Sequence, residues 1–213
     1  MLQTTAIVLA GGFSTRLGQD KGLRKLGTKP LVTYVLDTTK TIADERIIVV
    51  SSEEQAKRYC EISTRAEAKL VTDSGDLRGP LAGASTGLKS ASGTYSLLLP
   101  CDTPFIKRDI ASLLFELCIN MNAVIPRYPN CYIEPLQAVY CTKAAARAAQ
   151  EALTEGMTNM QAMVERLRRV RYVSTLVLQQ IDPELRTFFN VNTQADLKKA
   201  EAMLQSIVRR RRL

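Results

Sequence analysis

Residues 6–21 read AIVLAGGFSTRLGQDK. Ala6–Leu9 is a short apolar run of the kind that forms a buried strand. The pattern then breaks: Gly11, Gly12 and Gly18 are interleaved with Arg16, Asp20 and Lys21, and Lys25 follows. Paired glycines let a backbone come close to a ligand, and successive N–H groups on such a loop can face an anion. Arg16 and Lys21 add full positive charges. The spacing is neither the Gly-x-Gly-x-x-Gly of dinucleotide folds nor the Gly-x-x-x-x-Gly-Lys-Ser/Thr of a P-loop. A Gly-Gly pair alone would be an ordinary turn with solvated charges. The whole run, strand then LAGG-x-S-x-R-x-G-x-D-K, reads as a phosphate-binding loop.

Outward from this stretch, strand-like and helix-like segments alternate. Thr5–Leu9, RIIVVS (46–51), KLVTD (69–73), YSLLLPCD (95–102), NAVIPRY (122–128), PLQAVYC (135–141) and RYVSTLVL (171–178) read as strands. Leu31–Thr39, Glu53–Cys60, the Ala84–Ala91 region, Asp109–Asn120, Lys143–Leu153 and Asp196–Val208 read as helices. Continuous apolar strands between helices predict a three-layer α/β domain, its sheet mainly parallel and covered on both faces. Ligands in such sheets bind beyond the carboxyl ends of the strands. That rule selects the segments after Leu9, Thr72 and Leu99. With 213 residues and no repeat or linker, one domain over 1–208 is expected, followed by a basic tail over 209–213.

Composition narrows the chemistry. The chain has no histidine, which removes imidazole bases, Ser-His and Cys-His pairs and the commonest zinc ligand. What remains is positioning, cationic charge and carboxylate-held metal. Five cysteines, none in a close pair, fit reduced thiols in a cytoplasmic protein better than a disulfide set. No apolar run is long enough for a membrane span. Half of the net charge of +8 comes from Arg209–Arg212, which reads as a solvated end, with no aromatic residues beside it to suggest nucleic-acid binding.

The segment LAGGFSTRLGQDK resembles the signature of nucleotidyltransferases of the molybdenum cofactor guanylyltransferase type, which share a Rossmann-like, GT-A-like sheet. The resemblance runs in motif order from Ala6 to Leu197. It implies a loop that wraps a nucleoside triphosphate, with contacts from Leu9, Ala10, Gly11, Gly12, Arg16, Lys21 and Lys25. TDSGDLRGPLAG (72–83) resembles the segment that recognises guanine: Asp73 would accept from the N1–H and the exocyclic amine, while Gly79 and Pro80 shape the pocket. Asp73 as a turn or cap residue, and Asp76 in its place, are the competing readings. LLLPCDTPFI (97–106) resembles the metal-binding segment, with Asp102 holding magnesium, or manganese in its place. Cys101 reads as a buried neighbour, because no histidine is present to activate it.

YIEPLQAVY (132–140) and FFNVNTQADL (188–197) resemble the segments beside the acceptor pocket. They assign Glu134, Pro135, Asn190 and Asn192 to a pterin, whose ring edge suits asparagine donors and acceptors. The same Asn-x-Asn-Thr run also reads as a helix cap centred on Thr193. The chain departs from the family pattern at Leu17, at Gln137 and in the turn Gly156–Met160, which lacks a basic residue. Arg127, Lys143 and Arg166 are therefore all candidates for the acceptor phosphate.

The implied reaction joins GMP from GTP to the terminal phosphate of molybdopterin, with or without its metal, and releases pyrophosphate. An ionised phosphate needs no general base, in keeping with the missing histidines. Arg16, Lys21 and Asp102 would be the catalytic set. Molybdenum-insertion proteins or molybdoenzyme chaperones are the implied protein partners; nucleic acid and membrane are not. The alternatives are cytidylyl transfer, guanylyl transfer to another small phosphorylated metabolite, or a nucleotide-sensing module without catalysis.

Overall fold

The apolar runs of the sequence become one sheet. A computed structural model describes residues 3–11, 20–73 and 75–210. The first half comprises β1 (Thr4–Leu9), β2 (Lys25–Leu26), β3 (Lys29–Pro30), α1 (Leu31–Thr39), β4 (Glu45–Val50) and α2 (Glu53–Ala66). There follow β5 (Lys69–Thr72), α3 (Pro80–Ser90), β6 (Tyr95–Pro100) and α4 (Arg108–Leu117). The remainder is β7 (Ala123–Arg127), β8 (Ala138–Cys141), α5 (Thr142–Thr154), α6 (Met160–Arg166), β9 (Val170–Ser174), α7 (Thr175–Leu178) and α8 (Gln194–Arg210).

Seven strands form the main sheet in the order β5-β4-β1-β6-β8-β7-β9, and β2 and β3 form a separate ribbon. Strand β1 runs parallel to β4 and β6, so Ile7 lies beside both Ile47 and Leu98. Only β8 runs against its neighbours β6 and β7. Successive side chains on a strand point to opposite faces, and the core divides accordingly. Val8, Ile48, Leu97 and Leu99 pack with α1, α2 and α4 residues such as Val35, Tyr59 and Ile110. Ile7, Ile47, Val49 and Leu98 pack on the other face with Leu88, Ala149 and Met163 of α3, α5 and α6. This is the three-layer arrangement expected from the sequence. A third cluster, with Leu26, Leu31, Phe105, Leu197 and Ala200, holds α8 against the ribbon.

Several elements differ from the sequence reading, among them α2, which runs to Ala66 and not Cys60, and α4, which ends at Leu117 and not Asn120. The run 171–178 is a strand only to Ser174; the Ser174 hydroxyl then accepts from Leu176 N–H at 3.2 Å and starts the short helix α7. PLQAVYC is strand only from Ala138, because the Gln137 N–H turns back to the Glu134 carbonyl at 3.2 Å. The turn Gly156–Met160 leads into α6, which the sequence reading omits, capped by Asn159 accepting from Ala162 N–H at 3.0 Å. Arg209 and Arg210 continue helix α8. No helix among the described residues is long and apolar enough to cross a membrane.

Candidate active site

The carboxyl ends of β1, β4 and β6 open onto a cavity of about 420 Å³ lined by Leu9, Gly11, Ser51, Pro100 and Asp102, among others. Lys21, Asp73, Arg78, Gly79 and Pro80 complete its polar and loop walls. A second cavity, of about 560 Å³, is lined by Glu134, Pro135, Gln137, Asn190 and Asn192. Pro80, Pro100, Asp102 and Leu136 line both, so the two cavities meet at Asp102.

Asp102 stands just past β6, where Cys101 N–H still bonds to the Leu9 carbonyl at 3.1 Å. Its own carbonyl accepts from Val191 N–H at 2.9 Å, which fastens the Asn190–Asn192 segment beside it. The Asp102 side chain is almost fully buried and pairs with Lys21 through Oδ2 at 2.6 Å. Its Oδ1 is buried without a hydrogen-bond partner among the described residues. Lys21 Nζ also donates to Asn192 Oδ1, so this one cation touches a wall of each cavity. Next to Asp102, burial and then the neighbouring Asp102 and Asp20 carboxylates push the Cys101 thiol up. Held as a thiol, it is no nucleophile at neutral pH.

Asp73 continues the β4–β5 pairing, its N–H donating to the Val50 carbonyl at 2.7 Å. Thr86 of α3 donates to its Oδ1 at 2.9 Å, and the residue is 8% exposed. Asp76 is exposed and lies outside the lining of this cavity. Helix α3 begins at Pro80, whose missing N–H costs nothing at a first helical position. Gly79 before it has φ +144°, and a Cβ there would lie 2.9 Å from the Thr158 carbonyl. Only glycine allows this close approach, so the Gly-Pro pair sets the cavity wall against the turn before α6.

In the second cavity, burial raises the pKa of Glu134 and the Tyr128 hydroxyl opposes the shift. Gln137 is buried with its amide donating to the Thr187 carbonyl at 2.7 Å. The two readings of Asn-x-Asn-Thr centre on different residues and overlap at Asn192, whose N–H also donates to Asp196 Oδ2 at 3.2 Å. Thr193 Oγ1 accepts from Asp196 N–H at 3.1 Å, and Asp196 Oδ2 accepts from Thr193 N–H at 2.8 Å, a reciprocal cap for α8. The Thr193 hydroxyl, which also donates to Asp196 Oδ2 at 2.8 Å, and then the Thr193 N–H lower the pKa of Asp196. Asn190 and Asn192 line the cavity.

The other expected site residues line neither cavity or lie outside the described residues. Ala10 is fully buried, its N–H bonded to the Val49 carbonyl at 2.8 Å. Lys25 is exposed on the β2–β3 ribbon and lines neither cavity. Gly12 and Arg16 lie outside the described residues. Arg127, Lys143 and Arg166 line neither cavity; Arg127 covers the Tyr172 ring at 5.0 Å, and Arg166 pairs with Glu155. Ser51 and Arg78, which the sequence reading passed over, line the first cavity. Arg78 donates to the Ser51 carbonyl at 3.2 Å. Ser51 follows β4 directly, so the strand-end rule could have found it.

Comparison with known proteins shows the family and the fold. Residues 6–172 match the family model described as a MobA-like NTP transferase domain. A molybdenum cofactor guanylyltransferase from Desulfosudis oleivorans is 34% identical over 204 residues, covering 95% of this chain and 96% of that protein. The crystal structure of molybdopterin-guanine dinucleotide biosynthesis protein A from Archaeoglobus fulgidus superposes with a TM-score of 0.80 at 30% identity. That match covers 95% of this chain and 99% of the other. The 4-diphosphocytidyl-2C-methyl-D-erythritol synthase of Anaerococcus prevotii shares the fold at TM-score 0.72 and 17% identity, covering 96% of each chain.

Proposed function

Because the chain belongs to the family of MobA-like NTP transferase domains, we propose that it transfers GMP from GTP to the terminal phosphate of molybdopterin. The observation that carries this reading is the meeting of two cavities at Asp102, with Lys21 reaching a wall of each. A two-substrate transfer needs this: a donor site and an acceptor site sharing one charged boundary.

In the proposed reaction an oxygen of the acceptor phosphate attacks the α-phosphorus of GTP. The bond from that phosphorus to the bridging oxygen breaks, and pyrophosphate leaves with the electron pair. The chain's residues act by position and charge. Asp73 orients the guanine, Gly11 brings backbone to the phosphates, and Lys21 balances charge on the leaving pyrophosphate. Glu134, Asn190 and Asn192 orient the pterin.

The Asp102 side chain fits a divalent cation, because Oδ1 is a buried carboxylate oxygen with no partner among the described residues. No cluster of three metal-ligating side chains occurs among those residues. Magnesium tolerates such a sparse protein site when phosphates and waters complete its shell. When bound, the cation would supply positive charge beside the triphosphate.

The test is pyrophosphate release measured with GTP, CTP and ATP, each offered with molybdopterin or another phosphorylated acceptor. Release only with GTP and molybdopterin is expected. CTP as the preferred donor would assign a cytidylyltransferase, and nucleotide binding without release would leave a sensor.

Glu134 supplies an independent check. A carboxyl whose pKa is raised by burial stabilises the fold fully below the usual glutamate range. That contribution is lost as pH rises through the folded-state value. Glu134→Gln should therefore raise the urea midpoint at pH 7, and the difference should vanish below about pH 4. If the carboxylate serves the acceptor, the same variant should raise KM for molybdopterin and leave KM for GTP unchanged.

A further inference from the structure

Gln55 of α2 is 2% exposed and lines neither cavity of the candidate site, yet its amide is fully engaged. Its Nε2 donates to the Ala10 carbonyl at 2.8 Å and to Asp20 Oδ2 at 2.6 Å. Its Oε1 accepts from Ser51 N–H at 2.8 Å and from Ser51 Oγ at 2.9 Å. A primary amide has two donor hydrogens and one oxygen with two lone pairs. All four positions are used.

What the amide joins gives these bonds their meaning. Ala10 precedes Gly11, Asp20 precedes Lys21, and Ser51 follows β4; Gly11, Lys21 and Ser51 all line the 420 Å³ cavity. Asp20 is itself buried and held by further donors. The Tyr59 hydroxyl donates to its Oδ1 at 2.7 Å and Gly22 N–H at 3.1 Å. Burial first, then Cys101 and Asp20, raise the Tyr59 phenol, so it stays protonated and donating. A side-chain carbon on Gly22 would collide with the Tyr59 hydroxyl, so the chain passes this tyrosine only as glycine.

A leucine would fill the same core volume but would leave Ser51 N–H, the Ala10 carbonyl and Asp20 Oδ2 each without this partner. Glutamate has no donor for Ala10 or Asp20, and asparagine is one methylene short.

We propose that Gln55 is a positioning residue for nucleotide transfer. It sets the spacing of the backbone at Gly11, the lysine at position 21 and the β4 end at Ser51, with Asp20 and Tyr59 as its support. This rests on the reading of the 420 Å³ cavity as the GTP site.

The test compares Gln55→Leu, Gln55→Glu and Tyr59→Phe with the wild-type chain. Affinity for a fluorescent GTP analogue, kcat, and KM for GTP and for molybdopterin are measured well below each thermal midpoint. Both Gln55 variants should lose roughly 10- to 100-fold in GTP affinity and in kcat/KM for GTP, with KM for molybdopterin within twofold of wild type. Tyr59→Phe keeps the ring in the core and removes one support of Asp20, so it should show a smaller loss in the same parameters. A lower midpoint with GTP parameters unchanged in the folded variants would make Gln55 a stability residue and overturn the proposal. If the Gln55 variants do not fold, Tyr59→Phe decides: weaker GTP binding supports the proposal and unchanged binding overturns it. Binding of the analogue requires no transfer. Wild-type protein that binds it without releasing pyrophosphate therefore refutes the guanylyltransferase reading alone, while wild-type protein that binds no nucleotide overturns both.

Discussion

Asp102→Asn is expected to keep the fold and to lower pyrophosphate release by about a hundredfold or more, the scale of losing one preorganised charge contact at a transfer site. Asparagine has the same shape, so the packing past β6 survives, and the Asp102 carbonyl still accepts from Val191 N–H. The charge is what disappears. Lys21 loses its 2.6 Å partner but keeps Asn192, and it is a quarter exposed, so water can solvate it. Melting should accordingly shift by only a few degrees. Oδ1, which has no partner among the described residues, makes the sharper point. A buried carboxylate oxygen without a donor costs folding free energy, and a site that keeps one needs a reason outside folding. If that reason is a divalent cation, titrating magnesium into the wild type should raise the rate and titrating it into the variant should not. Near-normal turnover by the variant would remove Asp102 from the chemistry.

The alternation of apolar runs with helical stretches was enough to read the three layers, because a strand covered on both faces must be apolar on both. The reversal of β8 was not readable. Ala138–Cys141 is as apolar as its parallel neighbours, and strand direction is set by the connections around it. Helix α6 was hidden by its length, although Asn159 as cap and Met160, Met163 and Val164 at helical spacing were there to be read. At the candidate site, the segments around Asp73, Asp102, Glu134, Asn190 and Asn192 were legible because each resembles a family segment, and these residues line the two cavities. Gln55 lies in no such segment. Its bonds to Ala10 and Asp20 span 45 and 35 residues, and a glutamine among the charged residues of α2 reads as solvated surface. For Lys25, Arg127, Lys143 and Arg166, which line neither cavity, the reason is related: charge is visible in sequence, but direction is not. Lys21 points between the cavities, while Lys25, a turn further on, is exposed on the ribbon.

Replacing Asp73 by alanine should cost GTP more than any other donor. Guanine presents two adjacent donors, the N1–H and the exocyclic amine, and a carboxylate can accept from both. Hydrogen bonds to a charged group are each worth about 1.5–3 kcal/mol, so losing the pair should lower kcat/KM for GTP by roughly a hundredfold or more. ITP lacks the amine and retains the N1–H. The wild type should therefore prefer GTP over ITP, and Asp73→Ala should erase that preference while leaving residual turnover of both. Asp73 also has a structural bond, from Thr86 at 2.9 Å, which raises the competing view that it merely ties the loop to α3. Thr86→Val separates the two. It removes that bond, at a cost to the fold of about 1.5–3 kcal/mol, but leaves both carboxylate oxygens in the cavity wall to accept from the base, so GTP turnover should change by only a fewfold. Equal losses for GTP and ITP in Asp73→Ala, reproduced by Thr86→Val, would mean that the carboxylate holds the loop and that base selection lies elsewhere. Arg78, whose guanidinium stands at the same cavity beside Ser51, would be the next residue to change.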